Sequence, residues 1–181
     1  MLVELGGGTN PHPRASIVID LHHPKGAPAS DATKTPWLVY GPSGLEAIPS
    51  DSVDEVYSSH FMEHIHRGQP LLNVMNEAWR ILKPGGTLTM VVPLVGYTLN
   101  DGSGHLVNSW QPYADPTHVN FWWFPEALLY FCDGPFKPNA DYGIKVWSYL
   151  GTYREYTDID QEGSWWSIRY GWEGIAKLVK P

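Results

Sequence analysis

Met1-Leu2-Val3-Glu4-Leu5-Gly6-Gly7-Gly8-Thr9-Asn10-Pro11, followed by Ser16-Ile17-Val18-Ile19-Asp20, is the stretch that decides the fold. One short apolar run stops at three glycines; a second stops at an acid. Residues 1–5 and 16–20 therefore read as two strands, the second with three β-branched residues in a row, as in a strand covered on both faces. Glycines after a strand let the backbone approach a ligand closely. The carboxylate of Asp20 can accept hydrogen bonds from ribose hydroxyls. Asp20 lies fourteen residues beyond Gly6, closer than the ~20 of a dinucleotide fold. Asn10-Pro11 also fill the place of a third glycine. The pattern points to an adenosine-bearing ligand without a pyrophosphate, and it ranks an NAD-dependent dehydrogenase a distant third among the possible functions.

Working outward, residues 37–40 and 53–58 read as further strands, the latter entered through Pro49-Ser50-Asp51-Ser52. Residues 70–82 carry the clearest helical period, with Leu71, Leu72, Met75, Ala78, Trp79 and Leu82 on one face. Lys83-Pro84-Gly85-Gly86 stops that helix, and residues 87–93 form a fifth strand. Strands alternating with helices predict βαβ units around a parallel sheet. Beyond, residues 96–108 read as a loop, 125–131 as a short helix, and 143–149 and 171–179 as strands. The pattern of residues 146–156 suggests a twisted antiparallel strand near a sheet edge.

The totals set bounds. A chain of 181 residues with 43% hydrophobic and 17% charged residues is long enough for one well-packed domain. We read 1–181 as a single unit, with a cofactor-binding half at 1–95 and an aromatic-rich half at 96–181. The net charge of −7 is spread evenly, so no basic block tracks a phosphate backbone and nothing signals nucleic-acid binding. A lone cysteine, Cys132, excludes an internal disulfide and reads as a buried thiol. No apolar run approaches the ~18 residues of a membrane span, and Met1 leads directly into a strand, so the expected location is the cytoplasm.

Taken as a set, the motifs resemble the small class I S-adenosylmethionine-dependent methyltransferases of the type 11-like kind. Residues Val3 to Pro11 resemble their first motif, with Gly7 where the family often carries Cys, and Val18-Ile19-Asp20 resembles the second. Ile48 to His64 is similar to the stretch through the fourth strand, and Glu77 to Gly86 to the helix and turn before the fifth. Asp115-Pro116-Thr117-His118-Val119 and Phe124-Pro125-Glu126-Ala127-Leu128 look like a later segment of small members. The resemblance implies an α/β, Rossmann-like, mostly parallel sheet with flanking helices and an antiparallel C-terminal edge. The helix that usually precedes strand one is absent. S-adenosyl-L-methionine is the implied cofactor, held by Glu4, Gly6, Gly7, Gly8, Asp20, Leu21, Gly44, Leu45, Ser59 and His60. Strand three leads into Tyr40-Gly41-Pro42-Ser43-Gly44 instead of the family's usual acid, so backbone at residues 43–45 would take over the adenine contact.

Methyl transfer to a hydroxyl or amine benefits from a base, and His suits neutral pH. The candidates are His118, with Asp115 to orient it or to hold a substrate amine, and His60, with His64 beside it. His22 and His23 lie just past Asp20. His60-Phe61-Met62-Glu63-His64 also fits the H-x-x-E-H peptidase motif, in which one continuous helix presents His60 and His64 to zinc beside Glu63. A helix beginning only near Pro70 argues against that reading, and no metal site is assigned. A non-catalytic cofactor-binding or scaffolding module of the same fold is the second hypothesis.

Eighteen of the twenty-four aromatic residues fall in 110–181. Trp110, Tyr113, Phe121, Trp122, Trp123, Trp165 and Trp166 could wall an acceptor pocket or cover the sheet edge. The acceptor, small or polymer-attached, would be recognised there, and an exposed aromatic edge would favour a homodimer.

Overall fold

A computed structural model describes residues 1–8, 10–21, 37–39, 44–95, 98–100, 106–108, 111–122, 124, 126–133, 142–149, 166–169 and 173–181. Four β-strands open the chain: β1 (Leu2–Leu5), β2 (Ile17–Asp20), β3 (Trp37–Val39) and β4 (Val53–Ser59). Helix α1 (Gln69–Ile81) runs directly into β5 (Leu82–Pro93). Later come β6 (Thr98–Asn100), β7 (Leu106–Asn108), the short helix α2 (Glu126–Leu129), β8 (Ser148–Tyr149), β9 (Trp166–Arg169) and β10 (Glu173–Val179). The sheet order is β3-β2-β1-β4-β5-β10-β8, with β9 also paired to β10. β3, β2, β1, β4 and β5 are mutually parallel, while β10 runs antiparallel to β5. This is the α/β sheet with an antiparallel C-terminal edge that the motifs imply.

The order places the functional end of the molecule. From β1 the chain winds outward through β2 to β3, then returns to place β4 and β5 on the other side. The carboxyl ends of β1 and β4 therefore flank a topological switch point, the place where such sheets open a crevice to ligands. Gly6 and His60 each follow one of those two ends.

Helix α1 packs its apolar stripe against β5 and shares one hydrophobic core with β1 and β4. Leu71, Val74, Met75, Ala78 and Ile81 are buried on that helix, each large member contributing ~1.5–3 kcal/mol of transfer free energy. Val74 is buried where the sequence pattern favoured Leu72, which is only half-buried, as is Trp79. The Trp79 indole instead lies under the Lys180 ammonium at 4.0 Å and donates to the Val146 carbonyl. Four aromatics of the second half, Trp122, Phe124, Phe131 and Trp147, lie in the core, whereas Tyr113, Tyr130 and Tyr142 are exposed. Cys132 is buried.

Several boundaries differ from the sequence reading. β5 starts at Leu82 because Lys83-Pro84-Gly85-Gly86 is absorbed into the strand as a bulge: the register against β4 slips between Val53↔Leu82 and Glu55↔Thr87. The Gly85 amide donates to the Lys180 carbonyl and Gly86 accepts from the Lys180 amide, so the C-terminal tail holds the bulge. Residues 96–108, read as loop, include the paired strands β6 and β7. In 143–149 only Ser148–Tyr149 is strand, because Asn76 and Trp79 of α1 bind the backbone of Gly143, Lys145 and Val146. The 146–156 pattern falls mostly outside the described residues, as do His22, His23, Ser43, Trp110, Trp123 and Trp165.

Candidate active site

At the end of β1 the Gly6 amide donates to the Ile19 carbonyl at 2.8 Å, stitching the turn to β2. Gly6 has φ +82, and a Cβ there would sit 2.7 Å from Phe61 Cβ and 3.0 Å from the Ser59 carbonyl. Only glycine fits. Gly8 has φ +54, and no described residue lies within 4 Å of a Cβ there, so among these its side of the turn is open. At Gly7 a Cβ would lie 2.7 Å from Val18 Cγ1, which accounts for glycine where the resembled family often has Cys. The Asp20 carboxylate braces the turn, Oδ2 accepting from the Gly8 amide at 3.0 Å and Oδ1 from the Leu21 amide at 2.7 Å. Each oxygen keeps acceptor capacity for a further donor.

Glu4, almost fully buried, accepts from the His12 amide at 2.7 Å. Burial raises its pKa above the ordinary glutamate value, aided by the nearby Asp20 charge and opposed by the His12 hydrogen bond.

Beyond β4 the chain makes an uncommon turn. His60 has φ +50, a left-handed conformation that costs a non-glycine residue ~1–3 kcal/mol. Its amide donates to the Val91 carbonyl of β5. Its ring is held between two buried carboxylates: Nδ1 lies 3.2 Å from Glu63 Oε1 and Nε2 3.1 Å from Glu173 Oε1. The hydrogen bond to Glu63 is the main cause that raises the His60 pKa, favouring the imidazolium.

Residues 115–121 are laced onto this turn. The Glu63 carbonyl accepts from the Val119 and Asn120 amides, both at 2.9 Å. Arg67 donates to Asn120 Oδ1 and to the Phe121 carbonyl. His64 Nδ1 lies 3.2 Å from the Thr117 carbonyl and 3.3 Å from its hydroxyl. Since a carbonyl only accepts, Nδ1 carries the proton there and Nε2 is left bare. Asp115 Oδ1 accepts from the Thr117 amide and hydroxyl, which holds its carboxyl below the usual range. Its Oδ2 lies 3.5 Å from His118 Nε2, and His118 meets His64 edge-on at 5.0 Å between centroids.

Two neighbouring clefts share Gly6. One, of about 500 Å³, is lined by Gly6, Gly8, Asp20, Leu21, His60, Phe61, His64 and Thr117. The other, of about 420 Å³, includes Glu4, Gly7, His12, Tyr57 and Ser59. Both volumes fall in the ~300–1,000 Å³ range of small-molecule sites. The structure thus gathers Glu4, Gly6, Gly7, Gly8, Asp20, Leu21, Ser59 and His60 at one crevice. Gly44 and Leu45 line neither cleft. Leu45 sits in the hydrophobic core, its carbonyl held by Arg80, which also binds the Ile48 carbonyl and Ser50. Asp115 and His118 adjoin the larger cleft through Thr117 and His64. The H-x-x-E-H motif does not form one helix: Met62–His64 is a single 3₁₀ turn. Sequence reasoning passed over Glu173, His12, Arg67, Arg80 and Asn120. Only Glu173, an acid opening an apolar strand, left a legible trace.

A family model described as a methyltransferase domain matches residues 15–90. The whole fold is similar to an S-adenosylmethionine-dependent methyltransferase from Archaeoglobus fulgidus: TM-score 0.60, 14% identity, over 99% of this chain and 85% of that one. The chain therefore carries a stretch matching a methyltransferase domain and has the fold of class I S-adenosylmethionine-dependent methyltransferases. A Thermotoga maritima methyltransferase of the same kind, described as a possible histamine N-methyltransferase, gives TM-score 0.61 at 14% identity, over 99% of this chain and 82% of that one. Against a Mesorhizobium loti S-adenosylmethionine-dependent methyltransferase, identity is 24% and the TM-score 0.41, with 51% of this chain and 46% of that one covered. No curated protein matches this chain.

The crevice is chemically suited to S-adenosylmethionine, the cofactor that the motifs imply. The cofactor's ribose hydroxyls are donors, and Asp20 offers an acceptor-only carboxylate at the cleft wall. Gly8 leaves the backbone bare where a ligand must come close.

Proposed function

We propose that this methyltransferase transfers a methyl group from S-adenosylmethionine to an O- or N-nucleophile on a small or polymer-attached acceptor. The observation that carries the reading is that Asp20 and the open side of Gly8 share one cleft with His60, His64 and Thr117. When bound, the cofactor supplies a methyl already activated on a sulfonium. The protein's remaining tasks are alignment and exclusion of water.

Gly6, Gly7, Gly8, Asp20 and Leu21 hold the cofactor from β1 and β2, and Glu4 and Ser59 complete the neighbouring cleft. Gly44 and Leu45, which line neither cleft, take no part in this reading. His60, its ring fixed between Glu63 and Glu173, serves as a brace for the cleft. Acceptor activation falls to His118, steadied by Asp115. The test is methyl transfer from labelled cofactor to a panel of hydroxyl and amine acceptors. His118→Ala should lose transfer while keeping its affinity for S-adenosylhomocysteine. Unchanged turnover in that variant removes His118 from the chemistry. Cofactor binding without transfer to any acceptor would instead assign the non-catalytic module.

A further inference from the structure

The H-x-x-E-H stretch suggested a metal through His60, yet the fold commits His60 elsewhere and puts another residue in its place. One ligand-capable atom from each of Glu63, His64 and His118 lies within 4.8 Å of the others. Glu63 is fully buried: Oε1 is taken by His60, but Oε2 is buried and has no hydrogen-bond partner among the described residues. A buried carboxylate oxygen left bare costs ~1–3 kcal/mol or more, so its retention calls for an explanation.

We propose that Glu63, His64 and His118 bind a divalent first-row transition-metal ion. Two imidazoles and one carboxylate form the three-ligand set of open catalytic zinc sites, and imidazole favours zinc, cobalt or nickel over magnesium and calcium. Each ligand is already held by a neighbour: the Thr117 carbonyl orients His64 through Nδ1, Asp115 Oδ2 stands 3.5 Å from His118 Nε2, and His60 holds Glu63. His64 lines the larger cleft, so the ion's open positions can take an acceptor oxygen and lower its pKa. On this arrangement His118 acts on the acceptor through the ion it helps to hold. That use of the ion rests on the proposed methyl transfer; the ion site itself does not.

The experiment is calorimetry on the full chain, stripped with chelator and titrated with Zn²⁺ alone in excess Mg²⁺, with the Co²⁺ visible spectrum as a second readout. The wild type should take one ion. His64→Ala and His118→Ala should each weaken it by about 100-fold or more, and Asp115→Asn by about 10-fold. Titrating S-adenosylhomocysteine into the same samples reports folding and the cofactor site separately. S-adenosylhomocysteine binding without saturable Zn²⁺ uptake overturns the metal site and leaves the methyltransferase reading standing. Zn²⁺ uptake without that binding does the reverse. Uptake unchanged in both histidine variants also overturns the metal site.

Discussion

Gly6 and Gly8 are two residues apart in one turn, yet the structure gives them different tasks, and alanine separates the two. At Gly8 a methyl meets none of the described residues within 4 Å, so the cost is that of holding φ +54, about 1–2 kcal/mol. For a chain of this length that is a melting-point loss of roughly 2–8 °C. At Gly6 the backbone cost of ~1–3 kcal/mol adds to the overpacking of a Cβ 2.7 Å from Phe61, worth another ~1–3 kcal/mol. Gly6→Ala should therefore be the more damaged protein, by ~2–6 kcal/mol in total. Gly8→Ala should stay folded but lose at least about tenfold in S-adenosylhomocysteine affinity, ~1.4 kcal/mol, because its methyl stands in the cofactor cleft. Urea melts and calorimetry on both variants check this. A folded Gly8→Ala with wild-type affinity would refute the placement of the ligand, and equal destabilisation of the two variants would refute the steric argument.

Other consequences follow from single contacts. Asp20→Asn turns one acceptor into a donor, so either the Gly8 or the Leu21 amide loses its partner; melts should show a loss of ~1.5–3 kcal/mol, with weaker cofactor binding in calorimetry. Glu4 has a raised native pKa, so ionising it costs the native state: wild-type stability should fall as pH rises from the ordinary glutamate value of 4.5 through the higher native one. Glu4→Gln should lack that slope and match or exceed the wild type at neutral pH in ligand-free melts; a parallel slope in both proteins would contradict the assignment. Cys132, whose burial pushes its pKa up to about 12, should resist alkylation at pH 8 until denaturant is added, and rapid labelling of the native protein would contradict its burial.

What was legible in the sequence was local. The glycine triplet, the acid ending β2 and the period of α1 each depend on neighbours within a few residues, and all three fall where the pattern put them. The misreadings came from partners far away. His60 is held by Glu173, 113 residues on, so nothing nearby revealed that its ring was already taken. Leu45 looked available to a ligand but belongs to the core, because Arg80 pulls its loop down onto α1. β6 and β7 hid behind Gly, Asn and Asp residues that signal turns, since three-residue strands carry too little alternation to show. The Lys180 ammonium, buried against Asp51, Leu82 and Trp79, had no sequence signature at all.

The central claim, that the crevice at the ends of β1 and β4 holds S-adenosylmethionine through Asp20, is tested most directly by titrating S-adenosylhomocysteine into the wild type and Asp20→Ala. The account predicts one saturable site per chain and at least about a tenfold loss in the variant, as expected for a lost charged hydrogen bond. Folded wild-type protein that shows no saturable binding, or an Asp20→Ala variant that binds equally well, would contradict it.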